Sequence, residues 1–186
     1  MYDYVIVHAS FGHPFEHWYS WLVNKLISDG KNVLCPQFPC GIDIQNYDNW
    51  ASVLDAYRPY LDENTSYIGH SIGPAFILSY LTKNNLKAKD LYLVVPFSGT
   101  INVPDYDYVN SSFMNSDDWS SVINLTRKRL CYVSGTDPYV PNELSYNTIR
   151  LIDGDMHFVN DAGHFNTMAG YTTFEQLYSD IKSNFS

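Results

Sequence analysis

Positive charge is scarce in this chain. Eleven Lys and Arg face twenty Asp and Glu, a formal net charge of −9. Nucleic-acid binding draws most of its affinity from clustered Lys and Arg, so a phosphate backbone is not the expected partner. The two locally basic stretches, 83–89 and 127–129, read as solvated helix ends or loops. Long apolar runs are also missing. None approaches the ~18 residues of a membrane span, and no membrane partner is expected. The first residues carry no basic segment followed by an apolar core, so they read as a strand and not as a signal peptide, and a cytoplasmic location follows as an expectation.

Cysteine is sparse as well. Cys35, Cys40 and Cys131 are odd in number and have no ligand-like spacing. They suit a reducing compartment as small buried hydrophobes, and neither a disulfide framework nor a zinc site is supported. With no His-Glu-x-x-His and no Cys-x-x-Cys, metal-assisted hydrolysis has little support, and no metal site or cofactor is expected. Nothing repeats and no low-complexity linker divides the chain, so 186 residues make one domain with room for a sizeable core.

What is present is a regular alternation. Short apolar runs at 4–9, 32–35, 66–68, 91–95, 130–134 and 156–159 read as buried strands. Between some of them, apolar residues recur at helical spacing: Trp18, Trp21 and Leu22; then Trp50, Val53, Leu54 and Tyr57 within 47–60; then 74–81; and finally 172–181. This pattern predicts an α/β fold, a three-layer arrangement with a mostly parallel central sheet of about six strands flanked by helices. In such sheets ligands bind beyond the carboxyl ends of the strands, so chemistry belongs in the loops that follow them.

One of those loops is distinctive. Gly69-His70-Ser71-Ile72-Gly73 follows an apolar segment and opens a helix-like run, which puts a serine at the apex of a strand–turn–helix. A serine hydroxyl is a weak nucleophile at neutral pH and needs an exposed position, a base and donors for the developing oxyanion. Glycines two residues either side permit the crowded backbone of a nucleophile elbow. Asp137 and His164 also stand after expected strands, so nucleophile, acid and base occur in the order used by α/β-hydrolases. Asp161, nearer His164 in sequence, is a second candidate for the acid, whereas Asp153 and Asp155 precede the last strand and belong at the other end of the sheet.

Three segments carry a resemblance: Gly69-His70-Ser71-Ile72-Gly73, Ser134-Gly135-Thr136-Asp137-Pro138-Tyr139-Val140-Pro141 and Ala162-Gly163-His164-Phe165-Asn166. A fourth, from Phe113 through Asp118 and Trp119 to Ile123, resembles an aromatic insertion before the acid-bearing strand. The chain is similar to the small single-domain serine hydrolases of the α/β-hydrolase superfamily, which include retinoblastoma-binding protein 9 and bacterial YdeN-like proteins.

The resemblance implies Ser71 as nucleophile, Asp137 as acid and His164 as general base and then acid. It implies an oxyanion hole made by the backbone N–H of Ile72 and a second from the loop after the first strand, from Ser10 or Phe11. That loop has no glycine directly after the strand, where many relatives do. Trp18, Trp119, Phe113 and Tyr139 flank the site loops and are candidates for an acyl pocket, and His8 and His13 beside the first loop are candidate substrate contacts, although aromatics at such places more often pack in a core and loop histidines more often bond to backbone groups. His70 reads as a supporting residue. The connection from the fourth strand to Phe113 is too short for a large lid, so the site should be open and take small or extended acyl substrates.

The activity expected from all this is cleavage of a small-molecule ester, thioester or amide through an acyl-enzyme. Members of the family are also described through a protein partner, so a hydrolase-fold binding protein with little or no turnover is the alternative.

Overall fold

The computed structural model describes residues 1–114 and 119–183. Six strands build one sheet: β1 (Tyr4–Val7), β2 (Val33–Leu34), β3 (Ser66–His70), β4 (Ala88–Val94), β5 (Thr126–Ser134) and β6 (Asp155–Val159). Their order is β2-β1-β3-β4-β5-β6, and every neighbouring pair is parallel. The helices are α1 (Tyr19–Ser28), α2 (Tyr47–Ala56), α3 (Ile72–Lys83), α4 (Pro104–Met114), α5 (Asn142–Leu151) and α6 (Glu175–Lys182). The expected α/β architecture is therefore present, with a wholly parallel sheet and no large lid among the described residues.

Strand residues alternate between faces, and β3 shows what each face holds. Gly69 lies against α3, where an added Cβ would meet the Ile77 side chain, while His70 points the other way onto Tyr19 of α1. Right-handed crossovers explain the split. The chain leaves β1 toward β2 on one side and returns past it to β3 on the other. α1 and α6 share a face, joined by the Tyr178 hydroxyl donating to Asp29 at 2.6 Å. On the other face α3 packs against α2 and α4. It is buried without interruption from Ile72 to Leu81, which explains why it is apolar all round and has no polar stripe.

The strand order reverses beside β1. The crevice between the carboxyl ends of β1 and β3, where Val7 pairs with Gly69, is the switch point at which parallel sheets bind ligands. The loops bearing Ser10 and Ser71 both start there.

Several elements differ from the sequence expectation, each for a local reason. β4 and β5 begin earlier than their apolar runs because their first halves are charged: Asp90 is buried but paired with Arg127 at 2.9 Å. The run at 47–60 splits after Ala56 into α2 and a 3₁₀ turn at Arg58–Tyr60, since Pro59 lacks an N–H and disfavours helical backbone before it. α4 and α5 are additional helices. α4 and the 3₁₀ turn Trp119–Asn124 occupy the β4–β5 connection, and Asp118 of the expected aromatic insertion lies outside the described residues.

Candidate active site

Ser71 sits at the turn from β3 to α3 with φ 60° and ψ −108°. A non-glycine residue there carries strain of about 1–3 kcal/mol, which its surroundings must hold. They do so through the Ser71 N–H, which donates to Val94 of β4 at 2.9 Å, and through two close approaches. A Cβ on Gly69 would meet the Pro74 nitrogen at 2.7 Å, and one on Gly73 would meet the Val7 carbonyl oxygen at 2.7 Å. Neither glycine has a positive φ. Their function is to let β3, α3 and β1 come together, and the conformational strain falls on the serine.

Asp137 follows β5 and His164 follows β6, and His164 Nδ1 lies 2.7 Å from Asp137 Oδ2. The other Asp137 oxygen accepts the N–H groups of Tyr139 and Val140 at 2.9 and 3.0 Å, which fixes the carboxylate. With Nδ1–H donated to the carboxylate, Nε2 keeps the lone pair a base requires. Asp161 is not part of this pair: it accepts from the Thr136 hydroxyl at 3.1 Å.

Behind these loops His70 forms a brace. The Ala9 N–H donates to the Tyr19 hydroxyl at 3.2 Å, and that hydroxyl meets His70 Nδ1 at 2.6 Å. Tyr19 therefore gives its proton to Nδ1, and Nε2–H donates to the His164 carbonyl at 2.8 Å. Full burial holds the His70 pKa well below 6.5, so the ring is neutral and in this one tautomer. One buried side chain thus joins the first loop to the backbone of the candidate base.

Ser71 and His164 line the same open cavity of about 300 Å³, with Ile101, Val103, Tyr106 and Tyr139 among its other walls. Ile72 is the first residue of α3, so its N–H has no intrahelical partner and lies at the positive end of the helix dipole.

Residues 4–183 match the model of the family described as serine hydrolase. The chain belongs to the serine hydrolase family. This serine hydrolase is 28% identical over 182 residues to YdeN of Bacillus subtilis strain 168, covering 97% of this chain and 95% of YdeN. The crystal structure of that ydeN gene product superposes with a TM-score of 0.88 at 26% identity, over 100% of this chain and 99% of the other. The meta-cleavage product hydrolase of Pseudomonas fluorescens IP01 shares the fold, with a TM-score of 0.73 at 12% identity over 97% and 89% of the two chains. So does Est1E of Butyrivibrio proteoclasticus in complex with ferulic acid, with a TM-score of 0.72 at 14% identity over 98% and 89%.

Four sequence expectations for this serine hydrolase are corrected by the geometry. The Phe11 N–H is committed to Gln45 Oε1 at 2.8 Å, so it is not free to donate to an oxyanion; of the two expected donors from that loop, Ser10 remains the candidate. Trp18 is fully buried; its indole N–H donates to the Phe165 carbonyl at 3.0 Å, so it supports the His164 loop from behind and does not wall a pocket. Phe113 is also core, packed on Trp50 with ring centroids 4.8 Å apart. His13 is exposed beside Glu16 and is not among the cavity walls. Tyr139 does line the cavity, its ring perpendicular to His164 at 5.1 Å.

The structure adds residues that the sequence reading passed over. Glu16, His17 and Tyr106 line the cavity. Tyr106 lies on α4, whose start carries a legible signal: Pro104 in the first turn with Asp105 and Asp107 near the positive end of the helix. No group of three or more His, Cys, Asp or Glu side chains suited to a metal occurs among the described residues. No described helix is long and apolar enough to cross a membrane.

Proposed function

We propose that this serine hydrolase cleaves small, largely apolar carboxylic esters, thioesters or amides through an acyl-enzyme on Ser71. The observation that carries the reading is the His164–Asp137 pair at 2.7 Å, opening onto the cavity that Ser71 also lines. His164 Nε2 takes the Ser71 proton as Oγ bonds to the substrate carbonyl carbon. Asp137 keeps the imidazole in the tautomer that can accept that proton and stabilises the imidazolium. The N–H groups of Ile72 and Ser10 receive the oxyanion. Collapse of the tetrahedral intermediate expels the alcohol, thiol or amine, which takes the proton from His164. Water then repeats the sequence against the acyl group, with His164 as base and then acid, and releases the carboxylic acid and free Ser71. Every proton moves through residues of this chain.

The substrate class rests on the cavity walls. Ile101, Val103, Tyr139 and Val140 offer apolar contact, and the volume of about 300 Å³ suits a small acyl group. A second reading, binding without appreciable turnover, draws on the exposed Phe15, Tyr108 and Met168 on the loops and helix around the cleft, which would suit a protein partner. A fluorophosphonate probe separates the two. The hydrolase reading expects stoichiometric labelling that disappears in Ser71→Ala, together with turnover of p-nitrophenyl acetate. Labelling that persists in that variant would sink it, and neither labelling nor a burst in the parent protein would favour binding.

A further inference from the structure

Tyr106 lines the cavity together with Ser71 and Ser10. The hydroxyls of both serines influence its titration. Its position is held from several sides. One turn along α4, Asn110 donates through Nδ2 to the Tyr106 carbonyl at 2.9 Å. The Oδ1 of Asn110 accepts from the Ser10 hydroxyl at 3.0 Å and from Gln45 Nε2 at 2.8 Å. At the start of the helix Asp107 accepts the N–H groups of Ile101 and Val103 at 2.9 and 3.1 Å, and at its far end Ser112 accepts the Tyr47 N–H at 3.0 Å. The turn that bears Tyr106 is therefore bonded directly to the loop that bears the oxyanion donor.

A count of hydrogens then gives the hydroxyl a task. Ser10 Oγ has given its proton to Asn110 and accepts from Gln45 Nε2 at 2.5 Å. In the reaction proposed above, the Ser71 proton goes to His164. In the resting site the Tyr106 proton has the remaining lone pair of Ser10 Oγ or the Ser71 oxygen to rest on, and from there it can turn to a carbonyl oxygen that becomes an oxyanion in the same cavity. With Phe11 N–H taken by Gln45, the first loop offers one backbone donor where a second could have stood.

We propose that Tyr106 is a further catalytic residue, its hydroxyl donating a third hydrogen bond to the oxyanion alongside the N–H groups of Ile72 and Ser10. No covalent bond forms or breaks at Tyr106, and its proton stays on the phenol. Burial pushes its pKa up to about 12, which keeps it a donor and excludes it as a base at neutral pH. The donor is held in place before substrate arrives, the condition under which such groups are most effective. This inference rests on Ser71 acting as the nucleophile.

The test is Tyr106→Phe, with fluorophosphonate titration counting competent sites so that rates are expressed per folded active site. The expected result is a loss of about 10²-fold in kcat with KM changed by less than about threefold. The affinity for a trifluoromethyl ketone, which forms a hemiketal oxyanion on Ser71, should fall by a similar factor, while the affinity for the product carboxylic acid stays within about threefold. An unchanged kcat, or equal losses for the ketone and the product acid, would overturn the assignment and leave Tyr106 as a pocket wall. If Tyr106→Phe is silent while Ser71→Ala is inactive, only this inference fails. Activity surviving in Ser71→Ala would instead remove the nucleophile on which it stands.

Discussion

The proposed acid–base side of the cleft and the proposed oxyanion side are assembled from contacts of very different reach. On the acid–base side, Asp137 is fixed by the N–H groups of Tyr139 and Val140, two and three residues along its own turn, and His164 is 27 residues away across neighbouring strands β5 and β6. On the oxyanion side, Ser10 is fixed by Gln45 and by Asn110, 35 and 100 residues away, and neither partner stands in a recognisable motif. A motif is legible when a turn satisfies itself. The loop after β1 instead relies on borrowed side chains, with the Phe11 N–H and the Ser10 hydroxyl held by Gln45 and Asn110. His70 spans the two sides, through Tyr19 to Ala9 and directly to the His164 carbonyl.

The contrast can be broken most sharply on the acid–base side. Ser71→Ala is expected to lower kcat by about 10⁶-fold, and Asp137→Asn by about 10⁴-fold through loss of the correct imidazole tautomer. Steady-state hydrolysis of p-nitrophenyl acetate reads both, and losses under about tenfold would exclude a triad that acts as a unit.

Gln45→Ala attacks the other side without touching the triad. It leaves the Phe11 N–H without its acceptor and strips two contacts from the Ser10–Asn110 pair. Unsatisfied buried groups cost about 1–3 kcal/mol each, so denaturant unfolding should show a loss of that order. Turnover per titrated site should fall by about tenfold, with the rest of the oxyanion hole still present. A stable variant of normal activity would show that the loop holds itself.

The brace between the two sides is pH-sensitive in a definite direction. Burial lowers the His70 pKa from 6.5, so on acidification the unfolded chain takes up the proton before the folded one. Its contribution to stability is complete above pH 6.5 and is lost as the pH falls toward the folded value. Buried His8 and half-buried His17 shift the same way, both mainly by desolvation, so they share this slope. Thermal midpoints between about pH 8 and 5 should therefore decline on the acid side. His70→Gln should flatten the decline in part, and an unaltered slope would assign it to other groups.

The smallest effect belongs to His13. It is exposed and outside the cavity, so His13→Ala should change stability by no more than about 0.5 kcal/mol and leave kcat/KM unaltered. A large loss of activity would restore it as a substrate contact.

These asymmetries explain which parts of the molecule could be read in advance. Strands such as Tyr4–Val7 and Leu91–Val94 are covered on both faces, so their continuous apolar runs announce them. The charged openings of β4 and β5 do not, because the Asp90–Arg127 pair that allows their burial forms only when the strands meet. Trp18 and Phe113 illustrate the opposite error. Both stand close in sequence to site loops, yet their rings turn into the core, and nothing in a linear order tells which way an aromatic side chain will point. Tyr106 was passed over because its neighbours, Asp105, Asp107 and Tyr108, form no apolar stripe, so the helix carrying it had no periodic signature.

By itself, the amino-acid order determined the alternation of strand and helix, the serine at a turn framed by glycines, and the succession of Ser71, Asp137 and His164. Those features depend on local sterics and on residues one turn or one strand apart. Tertiary structure alone decided that the Phe11 N–H is taken, which aromatic rings reach the cavity, and that Tyr106 shares its wall with Ser71. Those outcomes depend on side chains 34 to 100 residues apart competing for the same hydrogen bonds and the same space, a competition that has no result until the sheet brings them together.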